Sequence, residues 1–283
     1  MPDIVIHPTT KTRLERLTGH PSHAVLLVGP VGIGKTSVAQ QLVADITKVP
    51  IDDVTQHPYI RLLRNDEKAK SISIDAVREL GRFLSLKIPG NQPRVIVIED
   101  AHELTGEAQN ALLKTLEEPV ANTTLILTVS SEQSLLPTIR SRTVVIPIVK
   151  PAAKELTAYF QRQGHNDDAI RQAELMSGGL PGLMSALLED DTEHPLLQAT
   201  VTAREIIQKT PFERLVMVDQ LTKDREHCLN TLTMLQQMAQ VSLARGTVSK
   251  TWQRILQQSY QATELLSASA QPKLVLTNLM LSL

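Results

Sequence analysis

An all-apolar run, Ala24-Val-Leu-Leu-Val28, leads directly into Gly29-Pro-Val-Gly-Ile-Gly-Lys-Thr36, and this junction constrains the fold more than any other stretch. A short run of β-formers bounded by glycines reads as a strand of a parallel sheet, buried on both faces. The glycines turn the chain, and an amphipathic pattern from Lys35 to Ile46 reads as the helix that follows. Gly29-x₄-Gly34-Lys35-Thr36 in that context is a phosphate-binding loop. Backbone N–H groups and the helix N-terminus point at phosphate oxygens. Lys35 would reach the β- and γ-phosphates, and the Thr36 hydroxyl would bind Mg²⁺. The expected contacts of ATP are Gly29, Pro30, Gly32, Ile33, Gly34, Lys35, Thr36 and Ser37.

A second apolar run, Val95-Ile-Val-Ile98, delivers two acids, Glu99 and Asp100, about seventy residues later. In a hydrolysing site the strand ends in Asp then Glu: the first acid holds Mg²⁺, the second polarises the attacking water. Here the order is reversed. Glu99 is one methylene too long for the metal, and Asp100, the candidate base, one too short. A misplacement near an ångström can cost on the order of 100-fold in rate. Shifting the register makes Asp100 the metal acid and leaves Ala101 where the base belongs. Binding should survive this better than hydrolysis.

The chain is 283 residues long, above the usual size of one domain, so two or three are expected. Hydrophobic residues make up 42% and aromatics 2%, so the cores must be aliphatic, and single-strand binding on aromatic platforms is disfavoured. A net charge of −1 gives no overall basic field for nucleic acid. The single cysteine, Cys228, can form neither an internal disulfide nor a four-cysteine zinc site, and reads as a buried helical thiol. The residues MPDIVIHPTT lack the pattern of a signal peptide, and no apolar run approaches a membrane span, so a cytoplasmic protein is expected.

Short apolar runs alternate with amphipathic stretches through the first half, the pattern of an α/β domain with a parallel sheet. Expected strands are Ala24–Val28, Tyr59–Leu63, Arg94–Ile98, Thr124–Val129 and Thr143–Ile148; helices include Ile74–Leu86 and Gly106–Leu116. After Pro151 no further strand is evident. Three short helices, Lys154–Gln163, Asp167–Met176 and Pro181–Leu188, precede a polar linker at 189–195, and long helices follow at Arg225–Ala244 and Lys250–Leu266. The division read from this is 1–150 for the α/β nucleotide domain, 151–193 for a helical lid and 194–283 for an all-α domain. Leu229, Leu232, Leu235, Met238 and Val241 mark a buried face in that last part, and Trp252 reads as core or interface.

Asn110-Ala-Leu-Leu-Lys-Thr-Leu-Glu-Glu-Pro119 and Leu136-Pro-Thr-Ile-Arg-Ser-Arg142 resemble the clamp-loader branch of the AAA+ ATPases. His57-Pro58, Ser71–Leu80 and Ile98-Glu-Asp-Ala-His102 are similar, more narrowly, to the delta-prime subunits of bacterial DNA polymerase III. The resemblance covers roughly residues 1–190; the rest matches only in being helical. It implies an AAA+ fold and a hetero-oligomeric ring with gamma/tau- and delta-type subunits, serving a sliding clamp and primer–template DNA. The family's Ser-Arg-Cys motif appears as Ser141-Arg142-Thr143, which makes Arg142 a trans arginine finger for the neighbouring subunit's ATP. Sensor 1 in the family is a polar residue ending the fourth strand; Thr128 and Ser130 are both candidates.

Two departures accompany the reversed acids. The stretch Ser177-Gly-Gly-Leu-Pro-Gly-Leu-Met184 offers no lid arginine, and Ile46–Gln56 lacks the cysteines of the zinc module many members carry, so no zinc is expected. Three readings stand: a subunit that binds ATP, hydrolyses it weakly at most and donates Arg142; an active gamma/tau-type motor; and a different AAA+ ATPase.

Overall fold

The computed structural model describes residues 4–65, 71–86, 88, 90, 92–189, 191, 193–244, 246, 250–268 and 270–283. The chain divides into two compact units, Met1–Tyr159 and Phe160–Leu283.

The first unit runs α1 (Pro8–Gly19), β1 (Ala24–Val28), α2 (Lys35–Thr47), β2 (Ile60–Leu63), α3 (Ile74–Ser85), β3 (Arg94–Ile98), α4 (Gly106–Glu117), β4 (Thr123–Val129), α5 (Pro137–Arg140) and β5 (Val144–Pro147). All five strands are parallel, in the order β2-β3-β4-β1-β5. The most buried strands, β1, β3 and β4, occupy the middle, where both faces are covered. The edges take β2, with one exposed residue, and β5, whose first and last residues are exposed and which ends in Pro147.

Alternate residues of the central strands build one core face. Leu26, Ile96, Ile98, Leu125 and Leu127 pack with Val77, Leu80, Phe83 and Leu84 of α3, Ala108, Leu112 and Leu116 of α4, and Ile139 of α5. The helix α2 packs against β1, β3 and β4 with Val38, Ala39, Leu42 and Val43 buried. The start of β3 is fixed by Arg94, 3% exposed, whose guanidinium caps the Leu84 and Leu86 carbonyls at the end of α3 and lies 5.1 Å from the Phe83 ring centroid.

The sequence pattern did not reveal α1. Most of its residues are polar, and its apolar stripe is short. It is held by Thr10, fully buried, which donates to the Pro147 carbonyl at 3.4 Å and accepts from the Val149 N–H at 3.0 Å, tying the helix to the end of the β5 edge. The strand β2 starts one residue later than expected because Tyr59 belongs to the turn in which the Ile60 N–H donates to the His57 carbonyl.

The helix α6 (Ala153–Arg162) carries the chain into the second unit, which holds α7 (Asp167–Ser177), α8 (Pro181–Leu188), α9 (Pro195–Gln208), α10 (Pro211–Leu221), α11 (Arg225–Ala244), α12 (Lys250–Ser267) and α13 (Pro272–Ser282). Here α11 packs against α9 and α12, and α10 against α13. The buried stripe of α11 is Cys228, Thr231, Leu232, Leu235 and Ala239; of the five expected positions, Leu229, Met238 and Val241 are only half-buried. Met238 and Val241 instead line a cavity of about 400 Å³ together with Trp252. Cys228 is buried as expected, and burial pushes its thiol up to about 11. Among the described residues no helix is long and apolar enough to cross a membrane.

Candidate nucleotide site and arginine finger

The loop after β1 is anchored at both ends. The Gly29 N–H donates to the Val129 carbonyl at 3.1 Å, and the Ile33 N–H closes a turn on the Pro30 carbonyl at 3.3 Å. Buried Ile33 pins the middle of the loop, and a Cβ on Gly29 would stand 3.0 Å from its Cγ2. Gly34 sits at φ 91, a left-handed conformation open to glycine, and its position as N-cap starts α2. No side chain caps α2, and its first turn holds no acid, so its positive end is left for an external anion.

Lys35 is buried to 8% exposure, and its Nζ donates to the Pro30 carbonyl at 3.3 Å. Burial lowers the pKa of its ammonium, and the nearby Asp100 carboxylate opposes that shift. Thr36 and Ser37 are exposed at the mouth of the loop. An anchored glycine loop, an uncapped helix end and a buried cation fit a polyphosphate. The oxygen donors of Thr36, Glu99 and Asp100 are of the kind Mg²⁺ takes.

The two acids have different surroundings. The Glu99 N–H donates to the Leu63 carbonyl at 2.9 Å, continuing the β2–β3 ladder. Burial raises its carboxyl pKa, Arg64 lowers it and Asp100 raises it further. Asp100 leaves the strand in a left-handed conformation at φ 45, which aspartate tolerates better than most residues. Its N–H donates to Thr128 Oγ1 at 2.9 Å, and its Oδ1 lies 3.9 Å from His102 Nδ1. Asp100 therefore bears on Lys35, and Glu99 on Arg64. Thr128 is 1% exposed with its hydroxyl committed to the β3–β4 seam, whereas Ser130 stands half-buried beyond the strand end.

The loop, Glu99, Asp100, Thr128 and Ser130 thus gather at the carboxyl ends of three adjacent strands, β1, β4 and β3. Arg142 does not join them. In the β1–β5 register Val144 lies beside Val25, so Arg142 precedes β5 at the amino end of the sheet. Four strand positions separate Val144, the first residue of β5, from the level of Gly29, about 13 Å at 3.3 Å per residue. The Nη2 of Arg142 pairs with Glu117 Oε1 at 2.9 Å, and its Nη1 donates to the Thr138 carbonyl at 3.1 Å. The segment leading to it is pinned by Gln109, a buried residue whose Oε1 accepts from the Leu136 N–H at 2.9 Å while its Nε2 donates to the Leu104 carbonyl at 3.4 Å.

Three of these residues, Arg64, Gln109 and Glu117, were not singled out from sequence. One signal was available for Glu117: two consecutive acids at a helix C-terminus oppose the helix dipole and call for a cationic partner.

A family model described as "DNA polymerase III, delta subunit" matches residues 7–152, more than half of the chain. The chain belongs to this family. It is 31% identical to a DNA polymerase III subunit delta' from Pseudomonas aeruginosa over 194 residues, covering 62% of this chain and 59% of that one. It is 34% identical to a subunit delta' from Escherichia coli over 136 residues, covering 48% of this chain and 41% of the relative. The chain thus spans about half the length of these delta' relatives. A crystal structure of a DNA polymerase III gamma subunit-related protein from Thermotoga maritima superposes with a TM-score of 0.51 at 19% identity, covering 96% of this chain and 97% of that one. That likeness bears on the fold alone: a parallel-sheet domain followed by helices.

Proposed function

We propose that this chain acts as a delta-prime-type clamp-loader subunit in the cytoplasm. It takes its place in a ring with gamma/tau- and delta-type subunits, which loads a sliding clamp onto primer–template DNA at the expense of ATP. On this reading residues 1–150 are the nucleotide domain, 151–193 the lid and 194–283 the part that joins the ring. The observation that carries the proposal is the separation of Arg142 from the chain's own phosphate loop, at opposite ends of one parallel sheet. A family arginine placed so far from its own loop suits action on a neighbour's site.

Within its own site the chain's residues bind and orient. Gly29, Pro30, Gly32, Ile33, Gly34, Lys35, Thr36 and Ser37 would cradle the phosphates, and Thr36 with Glu99 or Asp100 would hold Mg²⁺. When bound, Mg·ATP supplies the phosphoryl group and a divalent charge. Thr128 fixes the Asp100 backbone, which leaves Ser130 as our choice for sensor 1. With Asp100 one methylene short, the site has no well-placed base, so hydrolysis is weak.

The intact loop favours a second reading, a gamma/tau-type motor. Phosphate release by the purified chain with Mg·ATP separates the two. The proposal expects turnover far below that of a gamma/tau subunit, with nucleotide binding that Lys35→Ala abolishes. Turnover equal to a motor subunit's would overturn it.

A further inference from the structure

The ion pair between Glu117 and Arg142 joins the end of α4 to the segment that precedes β5. Glu117 is the last residue of α4, where a carboxylate meets the negative end of the helix dipole. Glu118 places a second acid directly behind it. The helix itself is therefore no reason for a glutamate at this place. Stability is a poor reason too: the two side chains are 37% and 51% exposed, and exposed ion pairs contribute little.

What the contact does supply is a fixed place for a long side chain. An exposed arginine has many rotamers, and ordering it at the moment of use costs entropy. Here Nη2 is held by Glu117 and Nη1 by the Thr138 carbonyl and, at 3.4 Å, by Ser141 Oγ. The helix that carries Glu117 is itself fixed to the Leu136–Arg142 segment through Gln109, eight residues and about 12 Å earlier. Two contacts on one rigid helix thus define where the guanidinium stands.

We propose that Glu117 is a positioning residue for Arg142. It holds the guanidinium near its working position and yields it when the more highly charged phosphate oxygens of a neighbouring subunit's nucleotide engage it. This rests on the reading of Arg142 as a finger acting in trans.

The test is DNA-stimulated ATP turnover of the complex reconstituted from this chain and its partner subunits. Arg142→Ala sets the reference loss. Glu117→Gln should reproduce at least half of that loss in kcat, with KM for ATP and complex assembly unchanged. Glu117→Asp, which keeps the charge, should retain more activity than Glu117→Gln. The double variant Glu117→Gln/Arg142→Ala should turn over no more slowly than Arg142→Ala alone. A loss with Arg142→Ala but none with Glu117→Gln overturns the positioning role. A Glu117→Gln loss that adds fully to that of Arg142→Ala would mark a merely structural contribution and also overturn it. If Arg142→Ala itself has no effect, the finger reading fails and this inference with it.

Discussion

At the scale of single residues, the reversed acids are the feature with the clearest chemical consequence. If side-chain length limits hydrolysis, exchanging the two acids should relieve it. The double variant Glu99→Asp/Asp100→Glu is expected to raise phosphate release by the isolated chain by about tenfold or more. An unchanged rate would shift the limitation elsewhere, to the missing lid arginine first. Glu99 also predicts a pH effect. Burial raises its pKa in the folded chain, so the protonated form is favoured there. Its favourable contribution is complete below the ordinary carboxylate range and is lost as the pH rises through the raised value. Glu99→Gln should therefore raise the unfolding temperature at about pH 7–8 and give no gain below about pH 4, as read by thermal denaturation across that range.

At the scale of elements, the sequence was legible where one physical signal dominated. The β1 strand, the α2 start and β3 fall where apolar runs meet glycines or acids, because a buried parallel strand admits little else. It was less legible where a tertiary contact decides. The helix α1 is held to the β5 edge by one buried threonine, and nothing in the local pattern of Pro8–Gly19 announces that partner. In α11 two of the three half-buried positions, Met238 and Val241, line a cavity, so equal apolar spacing did not mean equal burial. The candidate site divides the same way. The loop and acids were readable from spacing, but Arg64, Gln109 and Glu117 are polar residues whose partners lie far along the chain.

Two substitutions test element-level claims. Gln109→Leu leaves the Leu136 N–H without its side-chain acceptor in a half-buried place and should cost about 1–3 kcal/mol in denaturant unfolding. In the second unit, Gly178 ends α7 at φ 63, and a Cβ there would stand 2.6 Å from the Gln237 amide nitrogen, whose group donates to the Ser177 carbonyl. Gly178→Ala should cost about 1–2 kcal/mol from backbone strain, with the displaced glutamine adding to it. A loss below about 0.5 kcal/mol would mean that this helix end relaxes freely.

At the scale of the whole molecule, the sheet register sets two sites apart. The phosphate loop and acids stand at the carboxyl ends of the strands, and the Arg142 segment at the amino end of β5. Motif spacing named both, but their separation depends on strand order and register, which no local pattern carries. A chain built this way holds Arg142 away from its own phosphate loop, as the proposed action on a neighbour's site requires.

The most direct measurement of that claim is ATP turnover by the reconstituted complex containing Arg142→Ala, beside nucleotide binding by the same variant alone. The account predicts that the isolated variant binds ATP as the parent chain does, while the DNA-stimulated turnover of the assembled complex falls. Unchanged turnover in a fully assembled complex, or a loss of the chain's own ATP binding, would contradict it.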